Sequence, residues 1–378
     1  MRASPMLFSP RFSATCAYSP LRTPLSPLTT LRFASSSPRA RAAAVSRTAP
    51  IDTAVAKVLA YPESRVNPPL TTLPPKLSLP DKSSASSKAS YYMGMAKGYL
   101  AFYKTGLKSV FAAKNTLKNQ RAVAAAANAP MASIRAVLDQ FHATGTLPQT
   151  VSRADWLFQR RVRHDTLRIP LFGLILLVCG ELTPLIALYI QGIMPYTCRL
   201  PAQLHKDMAA VETRRSASFA RLAPALPAGL QGADGTYVPA GARALARRHV
   251  LCSLHLMPAL LDRVAGDLLA PLYWRAKAVP RLRFLAVDDA LLRRDGATES
   301  LAEQELKLAC VERGLMVTDV PVHAMREQLR RWLTLAKTTG PEQGRADEAQ
   351  KRIVTLLTTR PDKWNGMSPG FAVPDESL

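Results

Sequence analysis

The sequence predicts an all-α protein, with one transmembrane helix followed by a helical bundle. Three observations predict it. Residues 169–190, IPLFGLILLVCGELTPLIALYI, carry one ionisable side chain, Glu181, over a length that can cross a hydrocarbon core. Residues 200–378 repeat apolar side chains at three- and four-residue steps, with no strand-period alternation long enough to build a sheet. The 378 residues are 48% hydrophobic and 20% charged, so the chain can bury a core and is not disordered by composition. Fifty Lys and Arg against 27 Asp and Glu give a net charge of +23, which points to an anionic partner such as nucleic acid, a ribosome or an anionic membrane. None of the five cysteines forms a C-x-x-C pair, which argues against a disulfide scaffold or a zinc ribbon.

Residues 1–51 contain seven arginines, nine serines and no Asp, Glu or Lys. That is the composition of an organellar presequence. Prolines 5, 10, 20, 24 and 27 break every run that could serve as a secretory apolar core. A disordered basic tail is the plainer alternative. Removing seven positive charges from +23 leaves +16 on residues 52–378, so the presequence does not account for the basicity. Residues 52–90 are rich in Pro and Ser and read as a linker.

Residues 91–150 read as an amphipathic helical region. Tyr91, Tyr92, Met95, Tyr99, Phe102, Tyr103, Leu107, Val110 and Phe111 recur at helical steps, with Lys97, Lys104, Lys108, Lys114 and Lys118 among them. The pattern fits a basic helix lying on a membrane surface. It fits equally a core-facing helix with solvated lysines. Pro130 interrupts it.

Residues 151–200 form the expected membrane segment. Trp156, Phe158, Arg160, Arg161 and Arg163 suit an interface with phospholipid headgroups. Within the apolar stretch, Glu181 is the candidate ion- or proton-handling group, beside Pro184, which frees a backbone carbonyl. A neutral, hydrogen-bonded helix contact is the alternative role for Glu181. A re-entrant hairpin bent at Gly180–Pro184 is the alternative to a full span. More positive charge precedes the stretch than follows it, and that bias alone puts the N-terminal side in the negative compartment.

Residues 201–338 are expected to form a helical domain and residues 339–378 a C-terminal tail without heptads. A loop at 224–242, rich in Pro, Gly and Ala, interrupts the domain. Helices are expected over 300–313, stopped by Gly314, and over 322–338, with Met325, Leu329, Trp332, Leu333 and Ala336 on one stripe. Candidate contacts to an anionic partner are Arg243, Arg247 and Arg248; Arg275, Lys277, Arg281 and Arg283; Arg293 and Arg294; and Arg326, Arg330 and Arg331. Phosphate-binding loops, a nucleophile elbow and H-E-x-x-H are absent from the sequence. No catalytic residue, metal ligand or cofactor is assigned.

Three blocks carry a family resemblance. Residues 153–206, with Glu181, Pro184 and Met194-Pro195, resemble the membrane segment of the LETM1 family. Asp288-Asp289-Ala290-Leu291-Leu292, Gly296 and the string from Glu305 to Gly314 resemble its signature, as does the string from Met325 to Leu335. The resemblance implies a single-pass mitochondrial inner-membrane protein whose matrix domain binds mitochondrial ribosomes and is similar in fold to the fourteen-three-three bundle. It places the C-terminal domain in the matrix, against the local charge bias. It also implies roles in membrane insertion of mitochondrially made proteins and in ion and volume homeostasis. The chain looks like a short member, lacking the EF-hand and C-terminal coiled coil of longer ones. The leading expectation is ribosome tethering, with inner-membrane lipids and either a second copy or the insertion machinery as further partners. A component of a potassium/proton or calcium/proton exchange system is the competing expectation, and a respiratory-complex assembly scaffold the third.

Overall fold

The computed structural model of the chain describes residues 64–81, 87–179, 194–226, 240–296, 298–342 and 344–373. Its elements are α1 (Lys88–Ala126), α2 (Ile134–Thr144), α3 (Arg153–Thr166), α4 (Ile169–Cys179), α5 (Pro201–Leu222), α6 (Ala240–Ser253), α7 (Ala259–Tyr273), α8 (Val279–Asp295), α9 (Glu303–Glu312), α10 (Val322–Leu335) and α11 (Arg345–Thr358). No strand occurs among the described residues, so the all-α expectation holds. The presequence stretch lies outside them.

Local sequence explains the boundaries. Ser87, Ser133 and Ser152 cap α1, α2 and α3, each accepting a hydrogen bond from a first-turn N–H. At α3 the cap is reciprocal, because Asp155 also accepts from the Ser152 backbone N–H. Gly145 ends α2 at φ +66°, with the Glu342 carbonyl oxygen where a Cβ would stand, so only glycine fits. Gly314, at φ +69°, follows α9 as its sequence position predicts. Pro271 lies inside α7, and a π-helical turn over Trp274–Ala278 joins α7 to α8.

The core is centred on α8. Leu285, Val287, Leu291 and Leu292 are fully enclosed, because α2, α3, α11 and the π turn all pack on this helix. Helices α5 and α6 pair, and α6 carries the contact on to α7 and α11. The stripe expected on α10 is the one buried: Met325, Leu329, Trp332 and Leu333.

Two expectations change. Residues 64–81, placed within the linker, pack on the body. The Asn67 side chain donates to the Ser300 carbonyl at 2.7 Å and accepts from the Ala302 N–H at 3.0 Å, and Val66 is buried. The C-terminal tail contains α11, whose Ile353, Leu356 and Leu357 enter the core. Among the described residues no helix is long and apolar enough to cross a membrane. Helix α4 covers the first part of the expected span. Glu181 and Pro184 lie outside the described residues. Leu171, Leu174, Leu177 and Val178 on α4 are exposed.

Candidate nucleic-acid interface

A buried ionic cluster fixes the frame on which the basic side chains sit. Arg313 leaves the C-terminus of α9 and is fully buried. Its guanidinium donates to Asp288 at 2.6 Å, to Asp289 at 2.6 and 2.8 Å and to the Ala309 carbonyl at 2.9 Å. Arg153, at the start of α3, donates to Asp288 at 2.9 Å and to the Val66 carbonyl at 3.0 Å. The Trp332 indole N–H donates to Asp289 at 2.9 Å. Two arginines and two aspartates thus balance in charge and satisfy one another, as buried ions must. Burial pushes the Asp288 carboxyl up, but Arg153 and Arg313 outweigh it and hold the group well below the usual carboxylate range.

A second layer surrounds the first. Arg161 grips Glu305 through two bonds of 2.7 and 2.8 Å, the bidentate geometry that suits a guanidinium. Glu312 lies 3.4 Å from Arg160 and 3.3 Å from Arg281. Arg160 covers the Phe284 ring at 3.5 Å, and that ring stacks on Trp156. Burial, with Arg281 nearby, pushes the Arg160 pKa down to about 10.

The twelve expected basic contacts divide on this frame. Arg281 belongs to the Glu312 group. Arg248 binds Asp262 at 2.7 Å and Asp267 at 2.9 Å, tying α6 to α7. Arg293 donates to the Leu333 carbonyl at 3.2 Å. Arg294 binds Asp295 and the carbonyls of Pro148 and Val151. Arg326 holds the carbonyls of Thr298, Glu299 and Leu301. These five guanidiniums close the protein's own joints. Arg330 is exposed but pairs with Glu299 and Glu327. Arg243 and Arg247 are half-buried on α6. Arg275, Lys277, Arg283 and Arg331 are exposed and pair with no acid among the described residues. The first three sit on adjacent turns spanning the π turn and the start of α8. A group of His, Cys, Asp and Glu able to hold a metal ion is absent from the described residues.

Residues 266–343 match the family model described as LETM1-like, RBD. The chain carries a LETM1-like domain. The match runs from the middle of α7 past α10, so Asp288, Asp289, Arg313 and Trp332 all lie inside it, as do all four exposed, unpaired cations. Arg153 lies outside it, so the ionic cluster ties the matched stretch to α3. No curated protein and no solved structure matches the chain.

Two features escaped the sequence. Buried arginines were not foreseen, although Arg313 follows the apolar run Leu308-Ala309-Cys310-Val311 and so had a signal. Arg215 on α5 lines one cleft with the turn after α11, a juxtaposition that local spacing cannot reveal across so long a stretch of chain.

Proposed function

We propose that the protein is a membrane-associated mitochondrial factor whose LETM1-like domain binds the mitochondrial ribosome. The match of residues 266–343 to a ribosome-binding domain of the LETM1 type carries this reading. The four cations that this stretch leaves unpaired support it, since phosphate contacts supply most non-specific affinity for RNA. On this reading the Arg-rich residues 1–51 direct import and residues 169–190 anchor the chain in the inner membrane, supporting insertion of newly made proteins.

Helix α1 supports the membrane side of the proposal. It carries seven cations and no acid over 39 residues. One face buries Phe102, Gly106, Val110, Ala113 and Leu117. The opposite face exposes Met93, Lys97, Leu100, Lys104, Lys108, Phe111 and Lys118 at three-, four- and seven-residue steps. Lysines interleaved with large apolar side chains suit the headgroup layer of an anionic bilayer. Tyr103 packs on Phe172 of α4 at 6.2 Å between ring centres, which sets this helix beside the apolar stretch.

The test is co-sedimentation of the full chain in mild detergent with mitochondrial ribosomes. Binding is expected at about 50 mM salt and release as salt rises. Absence of co-sedimentation at low salt overturns the ribosome reading.

A further inference from the structure

An open cleft of about 260 Å³ lies between α5, α10, α11 and the turn that follows α11. Phe219, Trp332, Trp364 and Leu357 line it, with Arg215 in its wall. Arg215 is 6% exposed, yet it forms no hydrogen bond or ion pair with any described residue. The acid acting on it is Glu212, one turn earlier. Its Oε1 accepts from the N–H groups of Val317 and Thr318, at 2.7 and 3.2 Å, and it forms no ion pair with Arg215. The second guanidinium in the wall, Arg313, is neutralised by Asp288 and Asp289. At the mouth stand exposed Arg360 and Asp362, of opposite charge.

Arg215 therefore keeps its guanidinium donors unengaged in the cleft wall, with Glu212 acting on it only through space. Burying a charge without a partner is costly, and an entering anion relieves that cost. With Arg313 paired and Arg360 set against Asp362, Arg215 is the one guanidinium of the lining left to contact an anion, which matches a monoanion better than a dianionic phosphate. The walls are aromatic and aliphatic, so the body of the ligand is apolar. The volume falls just below the roughly 300–1,000 Å³ of sites for drug-sized ligands, so the group is small.

We propose that this cleft binds the carboxylate of a small apolar acid, with Arg215 as its ion-pair partner and the rings of Phe219, Trp332 and Trp364 as its walls. The carboxylate comes either from a free monocarboxylic acid or from the C-terminus of an apolar peptide. The site is separate from the basic surface proposed for the ribosome, and either proposal stands if the other fails.

Fluorine NMR of 4-fluorophenylacetate with the full chain tests it. The acid is expected to shift and broaden saturably, while its neutral amide does not. Arg215→Met weakens binding about tenfold or more, and Arg275→Ala, outside the cleft, leaves it unchanged. Ser216→Glu, at an exposed position on the cleft wall, supplies an internal carboxylate and abolishes binding without disturbing the core. It also decides the matter if Arg215→Met does not fold. Displacement by the peptide Ala-Leu-Phe with a free C-terminus, but not by its amidated form, assigns the source to a peptide end. Displacement by neither peptide assigns it to a free acid. Equal binding of acid and amide, displacement by equimolar inorganic phosphate, or full-strength binding by folded Ser216→Glu overturns the proposal.

Discussion

Arg313 shows how far one side chain organises this protein. It joins α9 to both aspartates of α8, and through Asp289 it reaches Trp332 of α10. Arg313→Leu leaves two carboxylates enclosed beside Arg153 alone, so a loss of about 3–5 kcal/mol in urea unfolding is expected. The pair Arg313→Leu with Asp289→Leu is expected to cost less than the sum of the two single changes, since it removes charge from both sides. His249 acts at the same scale but through protonation. Its ring lies within 3.1 Å of Ser218, Ser253 and the Leu357 carbonyl, and burial pushes its pKa down to about 4, with Arg215 and Arg221 adding to the effect. The unfolded histidine titrates near 6.5. Between these values the unfolded chain binds the extra proton, so the contribution is complete above about pH 6.5 and fades as pH falls towards 4. His249→Gln is expected to flatten the fall in melting temperature between pH 7 and 5, as read by circular dichroism. An unchanged slope refutes this role. Asp288, held lower still, loses its contribution only at more acidic pH.

Helices were legible in the sequence where one face is apolar and the other polar. The stripe on α10 and the stop at Gly314 follow from spacing alone, and the buried and exposed sides of α1 are separated as helical periodicity requires. The sequence misled where an element's partner lies far along the chain. Residues 64–81 have a linker's composition, and only the bonds from Asn67 to residues 300 and 302 reveal that they are fastened down. Helix α11 follows Gly340 and Pro341 and lacks a heptad, so it read as tail. Its buried face is defined by α6 and α8, to which it packs. The face of α1 gives a prediction at this scale. Reversing Lys97, Lys104 and Lys108 to Glu removes at least three attractions of about 1 kcal/mol each to an anionic surface. Flotation with vesicles of phosphatidylcholine, with and without cardiolipin, isolates this effect, because the apolar stretch contributes similarly to both. The preference for cardiolipin vesicles is expected to fall about a hundredfold. A preference that survives the reversal excludes α1 as the lipid contact.

Across the whole molecule, positive charge is divided between two tasks. A large share of the arginines on and around the LETM1-like domain is consumed internally: Arg153 and Arg313 in the core, Arg161 and Arg281 around it, Arg248, Arg293, Arg294 and Arg326 at the joints. Sequence clustering could not separate these from cations left for a partner, because both kinds occupy the same helices at the same spacing. Burial and pairing separate them. The consequence is measurable. If the ribosome is bound through phosphates, neutralising Arg275, Lys277, Arg283 and Arg331 to Gln removes up to four counterion-releasing contacts. The slope of log affinity against log salt is then expected to shrink by about 3 units, since each contact contributes roughly 0.7–0.9. Arg293→Gln and Arg326→Gln should behave differently. Their guanidiniums hold the carbonyls of Leu333 and of residues 298–301, so these changes lower the unfolding midpoint while the salt slope stays as it was. A slope that responds equally to both sets of substitutions would mean that the division between structural and partner-facing arginines is wrong.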